Sequence, residues 1–190
     1  MQADEQIIIN CQKGNLKEFG ILYDKYVKRI HDFIYFKTYH KETAEDLASK
    51  TFLKALEKIS SYNSKIGTFS SWLYCIARNT VIDHYRTKKN TSDIEDVWDL
   101  SSGEDIESDI DARENLAQVK AHLAKLSPEH RDIVILRVWQ EMSYAEIAEV
   151  LGKSEDSCKM MFSRTIAKLR EEMPVALFVI FILMNHYVRH

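Results

Sequence analysis

The sequence predicts an all-α protein, two small helical domains joined by an acidic flexible linker, with a helix-turn-helix in the second domain. Three observations carry this. Only 5 Gly and 2 Pro occur among 190 residues, of which 45% are hydrophobic, so helices meet few breakers. Apolar residues recur at three-and-four spacing along most of the chain. Acid is concentrated in one stretch, since Asp93 to Glu114 holds 10 acidic residues and a single basic one, Arg113. Setting that stretch aside turns 26 Lys+Arg against 29 Asp+Glu, net −3, into 25 against 19, net +6. The parts that fold are therefore basic. The resulting division is a first domain over 1–90, a linker over 91–111, a second domain over 112–173 and a hydrophobic tail over 174–190.

Residues 4–37 carry a helical stripe of Leu16, Phe19, Tyr23, Tyr26, Val27, Ile30 and Ile34, broken at Gly14-Asn15, which predicts two helices. After a polar turn at Tyr39 to Glu42, Thr43 with Asp46 can cap a third helix. Its buried face is Ala44, Leu47, Ala48, Thr51, Phe52, Ala55, Leu56 and Ile59. A polar loop follows over residues 60–68. Trp72, Leu73, Ile76, Ala77, Thr80 and Val81 then define a fourth helix, leaving Arg78, Asn79, Asp83, Arg86, Lys88 and Lys89 for its other faces and its end. Phe69 and Trp72 bracket the start of that helix and are read as core, whereas Tyr62 and Asn63, in a loop with little core to join, are read as contact residues.

The segment TSDIEDVWDLSSGEDIESDID lacks helical periodicity and is read as linker, with Trp98 either its anchor or a loose surface contact. Leu116, Val119, Leu123 and Leu126 begin the second domain. Ser127-Pro128-Glu129 supplies a cap, a first-turn Pro and a first-turn acid for a helix with Ile133, Val134, Leu136 and Val138 on its buried face.

The helix-turn-helix spans Ser143 to Arg170. Ser143 with Glu146 forms a capping box, Gly152 stands where a helix ends left-handed, and Ser154 can cap the next helix with Glu155 and Asp156 in its first turn. Cys158, Met161, Phe162, Thr165, Ile166 and Leu169 supply that helix's buried face, and Lys159, Ser163 and Arg164 point away from it. Such a second helix can enter a major groove; an ordinary helical hairpin with a solvated basic face has the same pattern.

The tail VALFVIFILM, residues 175–184, is apolar all round, so it must be buried. Ten helical residues span about 15 Å, half of a hydrocarbon core, so packing on its own domains or on a regulatory partner is expected before membrane contact. His186 and His190 lie one turn apart, with no third ligand to make a metal site. Cys11, Cys75 and Cys158 are far apart and fall in apolar faces, as small buried hydrophobes of a reducing cytosol do. The start, MQADEQIII, has neither a basic region nor a cleavage site, so no secretory signal is expected. No nucleophile with base and orienting group, phosphate-cradling Gly loop or zinc spacing suggests an enzyme or a cofactor.

The runs DEQIIINCQKGNLKEFGILYDKY, AEDLASKTFLKAL and FSSWLYCIARNTVIDHYR resemble the first domain of bacterial RNA polymerase sigma factors, above all the two-domain extracytoplasmic-function group, and LSPEHRDIVILRVWQEMSYAEIAEVLGKS resembles that family's second domain. The resemblance covers 4–172 in the right order. It implies a non-enzymatic, cytoplasmic specificity subunit that binds core RNA polymerase, recognises the minus-ten and minus-thirty-five elements of promoter DNA and helps to melt it. An anti-sigma factor is a further partner it implies.

By that resemblance Asp46, Ser49 and Lys50 dock on the polymerase. Tyr62, Asn63, Lys65 and Phe69 are candidates to hold a flipped base or its backbone, with Arg78, Asn79, Arg86, Lys88 and Lys89 on phosphates and base edges of the minus-ten element. Ser154, Ser157, Lys159, Ser163 and Arg164 address the minus-thirty-five element, Arg164 being able to bridge a guanine. The linker would thread the polymerase's RNA exit path. Two departures stand out. Ser49-Lys50 replaces the usual Gln and acid, which alters the docking face, and Met160-Met161 replaces a small polar and a basic residue, which predicts weaker phosphate attraction. A stand-alone helix-turn-helix regulator would leave the first domain without a task, and a sigma-like interaction module acting through the tail is the third reading.

Overall fold

The computed structural model describes residues 2–91 and 110–187, and among these there are helices and turns but no strand. The acidic segment with Trp98, the side chains of Lys89, Leu116 and His186, and His190 lie outside the described residues. The chain divides into two compact units, 1–102 and 103–190.

Unit 1 holds helices α1 (Gln2–Gln12), α2 (Phe19–Thr38), α3 (Lys41–Lys58) and α4 (Phe69–Thr91). The break between α1 and α2 falls where expected: Gly14 takes φ +100°, a value open to a residue without Cβ, and a short 3-10 turn, Leu16–Glu18, follows. The stripe on α2 is shifted from the expected one. Leu16 and Tyr23 are 48% and 40% exposed, while Leu22 and Phe33 are fully covered, because the 3-10 turn rotates the start of α2 relative to a continuous helix.

Helix α3 also starts earlier than Thr43 would have it. His40 is the cap, in extended conformation, its Nδ1 accepting the Thr43 backbone N–H at 3.2 Å, and Thr43 Oγ1 lies 3.0 Å from the same nitrogen. An imidazole acceptor does here what a Ser or Asp cap does elsewhere. Helix α3 packs between α2 and α4. Ala44, Leu47, Thr51, Phe52 and Ala55 of α3, Ile30 and Phe33 of α2 and Leu73, Tyr74 and Ala77 of α4 are all buried, and Phe33 meets Tyr74 edge-on at 5.2 Å. Burying each large apolar side chain contributes about 1.5–3 kcal/mol.

Unit 2 holds α5 (Ile110–Ala124), α6 (Pro128–Val134), α7 (Tyr144–Leu151), α8 (Glu155–Glu172) and α9 (Val175–Tyr187). Helix α5 starts at Ile110, two residues before the expected boundary at Ala112. Pro128 sits in the first turn of α6 after Ser127, yet Ser127 makes no side-chain cap bond. The bonding there comes from Arg131, only 3% exposed, whose guanidinium donates to the carbonyls of Leu123 at 3.1 Å, Ala124 at 3.0 Å and Leu126 at 3.3 Å. A buried cation thus satisfies the open carbonyl end of α5. Helix α6 continues into a π turn, Ile135–Trp139, from which Arg137 donates to the Met142 carbonyl at 2.7 Å and lies over the Tyr144 ring at 4.7 Å.

The tail forms α9, packed on α5, the π turn and α8. Leu177 and Phe181 enter the core, with Phe181 edge-on to Trp139 at 5.6 Å. Complete burial, expected from its apolar circumference, is not what it reaches: Val175, Val179, Ile182 and Leu183 are exposed, because only one face of a helix meets the unit beneath it. Among the described residues no helix is long and apolar enough to cross a membrane.

Candidate nucleic-acid and polymerase interface

On α3 the exposed row contains Asp46, Ser49 and Lys50. Lys50 Nζ sits 2.6 Å from Asp46 Oδ2 with both side chains 55% exposed, and Ser49 donates to the Glu45 carbonyl at 2.9 Å. The basic departure at position 50 therefore neutralises the acid one turn before it, an i,i+4 pairing visible in the sequence but not drawn from it. Leu53, 57% exposed and one turn further on, belongs to the same row and was not anticipated. His84 of α4 lies close enough to this pair to respond to it. Burial lowers its pKa, Lys88 and Lys50 lower it further, and Asp46 opposes them.

The loop before α4 is an organised turn. Tyr62, expected to be free for a base, is half-buried and committed: its hydroxyl donates to the Gly67 carbonyl at 3.0 Å, and its ring packs on Phe69 at 5.7 Å and Trp72 at 5.4 Å. Phe69 is buried, as read, and touches Tyr26 at 5.6 Å, while Trp72 is half-buried. From α1, Gln12 Nε2 donates to the carbonyls of Ile59 at 3.0 Å and Tyr62 at 2.8 Å, a long-range tie that local patterning does not register. Asn63 Oδ1 accepts the Lys65 N–H at 3.0 Å, and the Ile66 N–H closes the turn on the Asn63 carbonyl at 3.0 Å. Asn63, Lys65 and Ile66 are all exposed. Thr68 starts α4 by accepting the Ser71 N–H at 3.1 Å.

Along α4, Asn79, Arg86 and Lys88 are exposed and Arg78 is half-buried. Arg86 lies 3.3 Å from Asp83. Ile82, 43% exposed, falls between Asn79 and Arg86 on this face and was not singled out by patterning.

The helix-turn-helix has the geometry read from the sequence. Ser143 Oγ accepts the Glu146 N–H at 3.2 Å, Glu146 Oε2 accepts the Ser143 N–H at 2.9 Å, and Gly152 is left-handed at φ +64°. Ser154 caps α8 by accepting the Ser157 N–H at 3.2 Å. Ser154 Oγ keeps its own proton to donate. Lys159 is not an open cation, since it lies 2.9 Å from Glu155 and 3.6 Å from Asp156, and the hydrogen bond to Glu155 raises its pKa. Ser163 and Arg164 are exposed, and Arg164 makes no ion pair among the described residues. Met160 is 55% exposed on the outer face and Met161 half-buried. Thr165 is buried, donating to the Met161 carbonyl at 2.7 Å, with His130 Nδ1 at 2.8 Å.

Two family models match, sigma-70 region 2 over residues 22–91 and sigma-70 region 4 over residues 116–169. The RNA polymerase sigma factor YlaC of Bacillus subtilis is 35% identical over 161 residues, covering 80% of this chain and 90% of that protein. The chain belongs to the sigma-70 family of RNA polymerase sigma factors. The ECF sigma factor BldN of Streptomyces coelicolor is 33% identical over 174 residues, and the match spans 89% of this chain but 65% of BldN's length. Among solved structures, CnrH in complex with the cytosolic domain of CnrY superposes with TM-score 0.70 at 24% identity, over 89% of this chain and 96% of that one. RpoE with the anti-sigma factor NepR, from Bartonella quintana, gives 0.68 at 23%, over 82% and 96%. These two establish the all-α sigma fold. Region 2 lies within unit 1 and region 4 within unit 2, so the loop, α4 and α8 described above belong to the segments that define the family.

Proposed function

We infer that this sigma factor binds core RNA polymerase in the cytoplasm and directs initiation at promoters with two recognition elements. The observation that carries the reading is the order of matched segments, region 2 then region 4, one in each compact unit. The exposed row Asp46, Ser49, Lys50 and Leu53 docks on the polymerase. Asn63 and Lys65, with Arg78, Asn79, Arg86, Lys88 and Lys89 of α4, engage the minus-ten region. Tyr62 contributes the outer part of its ring while its hydroxyl braces the loop. Ser154, Ser157, Ser163 and Arg164 address the minus-thirty-five element, with Lys159 held back by Glu155. An anti-sigma factor is the regulatory partner in this reading, as NepR is for the Bartonella protein named above.

Because Glu155 and Asp156 offset Lys159, α8 offers little net positive charge and would bind DNA weakly by itself. Recognition is therefore expected to depend on the polymerase. Run-off transcription with purified core polymerase tests this. Core-dependent initiation from selected promoter fragments is the expected result. A tight footprint by the chain alone, with no effect on the polymerase, would instead establish a stand-alone regulator.

A further inference from the structure

We propose that Ile66 is the apolar wedge with which this sigma factor holds promoter DNA open, entering the base stack beside the position left by an extruded base. The proposal rests on the function inferred above and assigns a role to a residue outside the expected contact set. Ile66 is 80% exposed, more than any other large hydrophobic residue among the described residues of unit 1. Single exposed apolar residues are ordinary on protein surfaces, so exposure alone says nothing.

Three features set Ile66 apart. Its backbone is fixed outward: the Ile66 N–H closes the turn on Asn63, the Asn63 side chain holds Lys65, and the Tyr62 hydroxyl ties down Gly67 on the other side. The aromatic residues of the same stretch, Tyr62, Phe69 and Trp72, pack on one another while Ile66 stays 80% exposed, so its side chain joins no core. Its neighbours suit the task, since Lys65 can anchor a phosphate next to it and Asn63 can reach a base edge or sugar.

The commitment of Tyr62 sharpens the assignment. Tethered by ring and hydroxyl, it can offer a face to an extruded base but cannot travel into the duplex. Extruding a base forfeits its stacking, and an aliphatic side chain pushed into the step recovers part of that loss by apolar contact. Ile66 is the group at this loop able to supply it.

The test uses the full chain assembled with core polymerase and a promoter fragment selected by the wild-type holoenzyme. Ile66→Ala and Ile66→Leu are compared with wild type in core affinity, in opening of the duplex promoter followed by 2-aminopurine fluorescence, and in binding to the same promoter with the opened segment mismatched beforehand. Ile66→Ala is expected to leave core affinity unchanged and slow duplex opening by about tenfold, a fraction of the unstacking cost of a step. The pre-opened promoter should be bound as by wild type, and Ile66→Leu should restore most of the opening rate. Equal losses on duplex and pre-opened DNA would make Ile66 a base contact instead of a wedge. Loss of core affinity would make it a polymerase contact, and no change would remove it from the mechanism; each of these overturns the proposal. A wild-type holoenzyme that opens no promoter overturns the inferred function and, with it, this role.

Discussion

The loop before α4 and the start of α8 both present polar side chains outward, and they are held by different means. The loop is braced from a distance: Gln12 of α1 ties two of its carbonyls, and Tyr26 of α2 packs on Phe69 beneath it. The start of α8 is held by its own neighbours, Ser154 by Ser157 and Lys159 by Glu155. The loop therefore leaves its one cation, Lys65, exposed, whereas the start of α8 spends Lys159 on its own helix. Contact chemistry and stability are separable in the first unit and shared in the second.

The strongest way to sharpen this contrast is to damage the core of one unit alone. Phe181→Ala removes a fully buried ring packed on Trp139 and is expected to cost unit 2 about 3–5 kcal/mol. Hydrogen exchange read by mass spectrometry should show faster exchange in α5–α9 and none in α1–α4; equal acceleration in both would show that the units do not fold separately.

Next in size is the pair of cations on α8. In holoenzyme binding, Arg164→Ala should weaken recognition of the upstream element by about 1–3 kcal/mol if Arg164 bridges a guanine. Lys159→Ala should do less, because Glu155 already holds that amine. A larger loss from Lys159 would mean that DNA breaks its ion pairs and that α8 is more basic when bound than when free.

Smaller again is the cap of α7. Ser143→Ala removes an acceptor for the Glu146 N–H and a donor to its carboxylate and should cost about 1 kcal/mol in denaturant unfolding of unit 2. A loss within error would show that the box contributes nothing beyond what water supplies.

The smallest effect concerns acid. The folded pKa of His84 lies below its ordinary 6.5, chiefly through burial and then Lys88 and Lys50. Folding thus favours the neutral ring. Its contribution is complete above about 6.5 and is lost as pH falls toward the lower folded value. Unit 1 of the wild type should therefore lose stability on acidification below that point more steeply than His84→Gln, and parallel profiles would remove His84 as the cause.

What could be read in advance follows the reach of each interaction. The capping box, the left-handed Gly152 and the break at Gly14 depend on residues within a turn of each other, so residue type and spacing disclosed them. His40 was passed over as a cap because imidazole seldom serves as one. Arg131 is buried on carbonyls at the end of the preceding helix, and nothing in a helical stripe marks that. The polar loop around Tyr62 marks it for contact, and its packing on Phe69 and Trp72 has no local signal because those residues lie further along the chain. Asp46–Lys50 and Glu155–Lys159 are i,i+4 pairs of opposite charge, a local signal that marks both lysines as helix partners as well as candidate contacts.

The last helix also sets a timetable. Unit 1 has its core side chains once Val81 has been added, whereas unit 2 waits for Phe181. At roughly 5–20 residues per second, the interval between them is about 5–20 s of synthesis. During it unit 1 can fold while unit 2 is still unfinished on the ribosome. A chain interrupted before α9 would lack Phe181 in the core of unit 2, so the competence of unit 2 waits on the last helix while that of unit 1 does not.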